Sequence, residues 1–268
     1  MIRRHPLVAF FILALALTWS LVPIGSFAAF GPLLAAIVIT AMTTGRSGLR
    51  AWGAQIVRWR VSPQWYAIAI VLPLLVLVAA AASNLAFGAP VSAVGKLDAW
   101  YSIVLFFAVR LLVPVLAPLG EEPGWRGFAL PRLQGTRSPL QATLILAPLV
   151  VLWHVPLIFL ASEKLAPILL VGTAAVTFFY TWIYNRSGGS VLITVVAHAA
   201  EGTVRLSAFG FAGSDASRLS WLYSGGWCVV AVALVVFDRA AWRAPGAATR
   251  SGTRFAPGPG SLAAVEPS

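Results

Sequence analysis

The stretch QWYAIAIVLPLLVLVAAAAS, residues 64–83, carries no charged side chain. The hydrocarbon core of a bilayer is about 30 Å thick, a distance that roughly 20 helical residues cross. A run of this length and composition is therefore typical of a transmembrane helix. The rest of the chain agrees, because 59% of its 268 residues are hydrophobic and only 10% are charged. We predict an all-α fold, a polytopic membrane helical bundle.

Apolar runs of similar length predict about eight transmembrane helices. Their approximate bounds are 6–24, 27–43, 64–83, 100–119, 139–161, 165–184, 189–209 and 220–237. No convincing cleavage site follows the first run, so we interpret it as a retained helix and not as a signal peptide. Residues 1–243 are thus predicted to form the membrane domain. Residues 244–268 offer almost nothing to bury, which predicts a disordered cytoplasmic tail.

The distribution of basic residues predicts the orientation of the bundle. Of the 19 Lys and Arg residues, fourteen lie on one side of the predicted spans, Arg126 among them, and only Lys96, Lys164 and Arg218 lie in the opposite loops. The positive-inside rule then places both termini in the cytoplasm. We predict an integral, multi-pass protein of a bacterial-type plasma membrane. The net charge of +11 is explained by topology and anionic lipid, so the lipid bilayer is the expected partner and nucleic acid is not.

A few ionisable residues lie within or beside the predicted spans, where a charge costs about 2.5–3.5 kcal/mol on insertion scales. They are Arg110, Glu121, Glu122, Arg126, His154, His198, Glu201 and Arg205. Glu122 and Arg126 are four residues apart, so they can pair on one helix face and leave Glu121 free. Two plainer interpretations stay open. The acids before Pro123 also suit the start of a short interfacial helix, and a single histidine in a span is often a hydrogen-bonded packing residue.

Three blocks in the order found here resemble one known family. The blocks are a Glu-Glu-x-x-x-Arg motif within EEPGWRGFALPRLQ (residues 121–134), a histidine span with WHVPL (153–157), and a later histidine span with HAAEG (198–202). Together, over about residues 100–210, they resemble the intramembrane CAAX-protease and bacteriocin-processing family, abbreviated CPBP. The resemblance implies a helical peptidase whose water attacks a peptide bond in a membrane cavity open to the cytosol.

The resemblance also implies a role for each matched residue. Glu121 would be the general base, sharing the water with His154, and His198 would help to stabilise the oxyanion. Glu122 and Arg126 would hold the site in shape. Alternatively, Glu121, His154 and His198 would form a two-histidine, one-carboxylate set of the kind that catalytic Zn²⁺ accepts, with Glu122 as base. No HExxH motif is present, and we favour the metal-free mechanism while leaving the cofactor open.

Two positions depart from the family pattern. Val150 stands where the family has an aromatic residue four before the histidine, and Gly202 stands where it has an asparagine four after His198. Gly202 has no side chain that could donate to an oxyanion. Either His198 works alone, or another donor replaces the amide, or the enzyme is slow or inactive. In the last case the chain could be a degenerate member that acts as a binding or immunity scaffold. We expect Glu201 to pair with Arg205 and expect Arg110 to be structural. A transporter is a third possibility, and the peptide or protein substrate of a peptidase is not readable from the sequence.

Straight helices would not bring the predicted site together. At 1.5 Å per residue, Glu121 would reach the cytoplasmic face while His154 would lie about 20 Å further in. Pro114 and Pro118 precede Glu121, and proline is a common cause of a kink or break. We therefore predict a bent or displaced fourth span that carries Glu121 inward.

Overall fold

The computed structural model describes residues 2–91, 99–160 and 166–243. The predicted tail, residues 244–268, lies outside the described residues, as do Lys96 and Lys164. The helices are α1 (Pro6–Trp19), α2 (Gly31–Ile56), α3 (Pro63–Ala86), α4 (Trp100–Leu112), α5 (Pro118–Gly124), α6 (Leu130–Gln134), α7 (Pro139–His154), α8 (Leu169–Arg186), α9 (Val191–Glu201), α10 (Gly213–Phe237) and α11 (Arg239–Arg243). No strand occurs in these ranges, so the predicted all-α bundle is confirmed.

Six helical segments in the described part are long and apolar enough to cross a membrane. They are Pro6–Ile24, Gly31–Ile56, Pro63–Ala86, Pro139–Ile158, Val191–Phe209 and Gly213–Phe237. Large apolar side chains such as Val71, Leu75 and Val78 on α3 are at least half exposed, as lipid-facing residues are. The chain is an integral, multi-pass membrane protein. The predicted number of eight spans is not confirmed.

The predicted fourth span, residues 100–119, is broken. After α4 the chain makes a short 3₁₀ turn at Pro114–Leu116 and then starts α5 at Pro118. A π-helical turn, Trp125–Ala129, joins α5 directly to α6. Pro114 and Pro118 lack the amide hydrogens that a continuous helix would need at these positions, which explains the break. The bent fourth span is therefore found where the prolines predicted it.

Two clusters of buried side chains form the core. One lies mainly among α3, α8, α9 and α10 and includes Phe179 and Trp227. The other lies mainly among α1, α2, α5–α6 and α7 and includes Phe10, Trp125 and Trp153. Helices α5 and α7 pack in the second cluster, whereas α8 contributes mainly to the first. The candidate site lies where the two clusters meet.

The connections of the bundle form two ends with different charge. At the arginine-rich end, the Ser190 hydroxyl donates to the carbonyl oxygen of Arg58 at 2.6 Å, and Arg186 pairs with Asp238. At the opposite end, the guanidinium of Arg218 donates from Nε to the Asn84 side chain at 2.7 Å. These contacts group the α2–α3, α8–α9 and α10–α11 connections at one end and the α3–α4 and α9–α10 connections at the other.

Candidate functional site

Glu121 and Glu122 lie near the start of α5, just after the break in the fourth span. Ala117, the residue before α5, has φ 83° and ψ −65° and is the only non-glycine residue with positive φ in the described ranges. Such a conformation costs an L residue about 1–3 kcal/mol. The Ala117 carbonyl oxygen accepts the amide hydrogen of Glu121 at 2.9 Å. The turn thus starts a new helix inside the bundle, and both carboxylates become buried there.

The Glu121 carboxylate faces His154. Its Oε2 atom lies 3.9 Å from Nε2 of His154, and it accepts a hydrogen bond from the Trp125 indole at 3.3 Å. A separation of 3.9 Å is too long for a direct hydrogen bond. It is, however, a distance at which one water molecule can contact both atoms.

The tautomer of His154 follows from its second contact. Ring atom Nδ1 lies 2.8 Å from the carbonyl oxygen of Val150, one helical turn earlier. A carbonyl oxygen can only accept, so Nδ1 carries the hydrogen and donates it. In the neutral ring, Nε2 then keeps its lone pair on the side of Glu121. The site therefore presents two acceptors to the same small space.

Glu122 belongs to a separate buried group. Its Oε1 atom accepts from Arg126 Nη1 at 3.0 Å and from His198 Nδ1 at 2.9 Å. Glu122 and Arg126 are almost fully buried, and the Arg126 guanidinium lies over the Tyr180 ring, 4.9 Å from its centre. The predicted Glu122–Arg126 pair is thus present. Arg126, grouped with the cytoplasmic residues in the sequence, lies instead inside the bundle.

A single cavity of about 590 Å³ contains all five predicted site residues in its lining. The deep part is formed by buried residues such as Arg126, Thr177 and Tyr180, and the outer part by exposed ones, Arg205 and Ser207. Leu169 and Tyr180, both lining residues of α8, are eleven residues apart, which corresponds to about 16 Å. The cavity therefore runs from the α7–α8 and α9–α10 connections down to the middle of the bundle.

The three candidate metal ligands do not fit tetrahedral zinc in this arrangement. Bonds of about 2.0–2.1 Å would place neighbouring donor atoms about 3.3 Å apart, whereas Glu121 Oε2 and His154 Nε2 are separated by 3.9 Å. His198 could offer only its Nε2 atom, because Nδ1 is bonded to Glu122. Within the described ranges, no three His, Cys, Asp or Glu side chains are grouped to hold a metal ion.

One predicted contact of the neighbouring charges is wrong. Glu201 does not pair with Arg205 but accepts the Tyr223 hydroxyl at 2.6 Å, because α9 ends at Glu201 and Arg205 is no longer on the same helix face. Arg110 makes a hydrogen bond within the bundle. Its Nη2 atom donates to the carbonyl oxygen of His198 at 3.3 Å, and no carboxylate among the described residues lies within ion-pair distance of it.

Three contributors to the site were not predicted. Trp125 bonds Glu121, Tyr180 stacks on the His198 ring with centres 5.4 Å apart, and Ala117 sets the start of α5. Trp125 had a signal in the sequence, since it follows Glu121 by one helical turn. Tyr180 and Ala117 had none, because their roles depend on packing between distant segments.

The region that contains the site is similar to a known protein family. Residues 102–204, which contain all five predicted site residues, match the family model described as Rce1-like, Type II CAAX prenyl endopeptidase Rce1-like. This region therefore resembles the type II CAAX prenyl endopeptidases that the model describes. A protein named CAAX prenyl protease 2, from Methanococcus maripaludis, is 26% identical to this chain over 108 residues, which are 37% of this chain and 40% of that protein. The match spans less than half of the length of that relative. The resemblance stated from the three sequence blocks is confirmed for residues 102–204.

Proposed function

We propose that this chain is an intramembrane endopeptidase in which Glu121 and His154 activate a water molecule. The observation that carries the proposal is the 3.9 Å separation between Glu121 Oε2 and His154 Nε2 in the wall of the cavity. Both atoms are acceptors, so a water between them can donate one hydrogen to each. The free lone pair of its oxygen then faces the cavity, where a peptide would lie.

The reaction needs only these groups and the substrate. As the water oxygen attacks the peptide carbonyl carbon, Glu121 takes a proton and the carbonyl oxygen becomes an oxyanion. When the C–N bond breaks, its electron pair goes to the nitrogen, which receives the proton from Glu121. The products are a carboxylic acid and an amine. Burial of Glu121 keeps bulk water away from the carboxylate.

Glu122 and Arg126 would position His198. The Glu122 carboxylate holds Nδ1 of the ring, which leaves Nε2 as the nitrogen available to the cavity. A protonated His198 would present an N–H there, while its other ring nitrogen donates to Glu122. Arg126, bonded to the same carboxylate oxygen, fixes the position of Glu122. His198 would therefore act on the oxyanion, and the other two residues would act through it.

The side on which the cavity opens follows from charge, and it differs from the expectation of a cavity open to the cytosol. The outer part of the cavity lies at the end of the bundle that carries Arg218, opposite the arginine-rich end. Cytoplasmic termini would therefore go with an opening on the opposite side of the membrane. The loop charges favour cytoplasmic termini, so we place the opening on the extracytoplasmic side. This favours precursor peptides and membrane-protein termini as substrates over cytosolic prenylated C termini.

The test is cleavage by purified protein in liposomes. The probes are a quenched fluorescent farnesylated CAAX peptide and a mixture of solubilised bacterial membrane proteins, in which new termini are read by mass spectrometry. Glu121→Gln and His154→Gln should each lower cleavage by about 10²-fold or more. Asp215→Asn, which makes the same chemical change outside the cavity, should cleave as the wild type does. If the wild type cleaves neither probe, or if Glu121→Gln cleaves normally, the proposal is wrong.

Gly202 favours a second candidate, a scaffold that binds a partner without cleaving it. The missing amide at this position is the observation behind it. A partner that co-purifies equally with the wild type, Glu121→Gln and His154→Gln, with no cleavage in any of them, would support the scaffold.

A further inference from the structure

Gly202 lies directly beside the side chain of Arg110. Its φ of −98° and ψ of 8° are open to any amino acid, so the backbone does not require glycine here. A Cβ added to Gly202 would instead overlap the guanidinium of Arg110. A larger residue at position 202 would displace the end of the Arg110 side chain, so the glycine leaves this space to a cation from α4.

The guanidinium of Arg110 has few partners for a charge at this depth. Nη2 donates to the His198 carbonyl oxygen at 3.3 Å, and Nε is buried without a hydrogen-bond partner in the described structure. The other arginine deep in the cavity, Arg126, also has buried N–H groups without a partner, but it forms an ion pair with Glu122, whereas Arg110 forms none in the described structure. A half-buried guanidinium with unused N–H groups is expected to meet an anion.

The anion can be identified from the neighbours of Arg110. The same cavity wall contains Glu121, His154 and His198, where water would attack a peptide carbonyl. The charge that develops during this attack is on the carbonyl oxygen, and fixed N–H donors beside it accelerate the reaction. Arg110 is anchored to the backbone of His198, the residue expected to face that oxygen.

We propose that Arg110 is a catalytic residue that donates an N–H to the oxyanion, in the space that Gly202 leaves free. The inference rests on the proposed peptidase function. It also explains how the chain could cleave peptides without an amide side chain at position 202. Arg110 and Gly202 would form one functional pair although 92 positions separate them in the sequence.

The pair can be tested by exchanging its members. Arg110→Ala should lower kcat by about 10²–10³-fold with little change in KM. Gly202→Ala, which keeps Arg110 but displaces it, should also lower kcat. The double variant Arg110→Ala with Gly202→Asn, which replaces the guanidinium by an amide, should recover at least about ten-fold over Arg110→Ala. Arg137→Ala, a change at an exposed arginine, is the control and should behave as the wild type.

The outcomes separate this inference from the proposed function. Absence of cleavage by the wild type would overturn both. Normal wild-type cleavage with kcat unchanged in Arg110→Ala and Gly202→Ala would overturn the role of Arg110 alone. A rise in KM at constant kcat, seen only for substrates with a free C-terminal carboxylate, would overturn it too, because Arg110 would then bind that carboxylate. If Arg110→Ala fails to fold, Gly202→Ala, which keeps the arginine, still decides.

Discussion

His154 and Val150 are joined by a hydrogen bond of 2.8 Å from the ring Nδ1 to the carbonyl oxygen. This bond fixes the orientation of the imidazole and leaves Nε2 available for water. The same kind of bond also orients histidines that bind metals, so the contact does not by itself choose between the two mechanisms. The wide spacing of Glu121 and His154 favours the metal-free one.

We therefore expect cleavage to persist after metal removal. Purified protein treated with a strong chelator and then dialysed should keep its wild-type rate, because the proposed base is the Glu121 carboxylate itself. Elemental analysis of the active protein should show less than one zinc per chain. A rate lost on chelation and restored by added zinc would contradict this expectation.

The buried pair of Glu122 and Arg126 should matter for stability more than an exposed pair does. Glu122→Gln or Arg126→Met leaves one buried charge without its partner, which typically costs about 3–5 kcal/mol. The double variant should be less destabilised than the sum of the single ones. Thermal unfolding in detergent measures all three.

The matched control for that pair is the more exposed one between Arg186 and Asp238. Arg186→Met should cost no more than about 1 kcal/mol, because solvent screens the exposed charges. Equal losses of unfolding free energy at the buried and the exposed pair would show that burial of the Glu122–Arg126 pair has no energetic role.

The orientation can be measured by labelling single cysteines in intact cells. In a variant with Cys228 replaced by alanine, Ser207→Cys lies at the outer part of the cavity and Ser47→Cys at the arginine-rich end. A membrane-impermeant maleimide should label the first in intact cells, and the second only after permeabilisation. The reverse pattern would place the cavity opening in the cytosol.

Asp238 provides a pH-dependent contribution to stability at the arginine-rich end. Hydrogen bonds from the Arg186 side chain, together with one from the Trp182 indole, lower the pKa of this carboxyl. A lowered pKa stabilises the folded state above the ordinary aspartate value of about 3.9, and this stabilisation is lost as the pH falls through the folded value. Asp238→Asn should therefore be less stable than the wild type at neutral pH, and the difference in Tm should shrink at about pH 3.

A difference in Tm between the wild type and Asp238→Asn that stays constant or grows at low pH would contradict this prediction. Asp215→Asn, at the opposite end of the bundle, serves as the reference variant in the same titration.

Local features of the sequence predicted the parts of the fold that depend on local physics. The uncharged run 64–83 was enough to predict α3, because a segment that crosses lipid must be a long apolar helix. The four-residue spacing was enough for the Glu122–Arg126 pair. Pro114 and Pro118 were enough for the break before α5, because proline cannot continue the hydrogen bonding of α4.

The contacts that the sequence could not predict join distant segments. Nothing near Gly202 indicates that Arg110 fills the space beside it. The Tyr223 hydroxyl replaces Arg205 as the partner of Glu201 only because α10 packs there. The end of the bundle at which the cavity opens could not be predicted from the sequence either, since it depends on how deep Glu121 and His154 lie relative to the loops.

The break in the fourth span has a consequence for the lipid that surrounds the protein. Helix α4 has 13 residues, so it is about 20 Å long and cannot cross the hydrocarbon core alone. It is joined to α5 through Ala117, where no continuous helical hydrogen bonding resists extension. A thicker bilayer should therefore stretch this joint and move Glu121 relative to His154. Acyl-chain length would then act as a regulator of hydrolysis, independent of any effector that binds the protein.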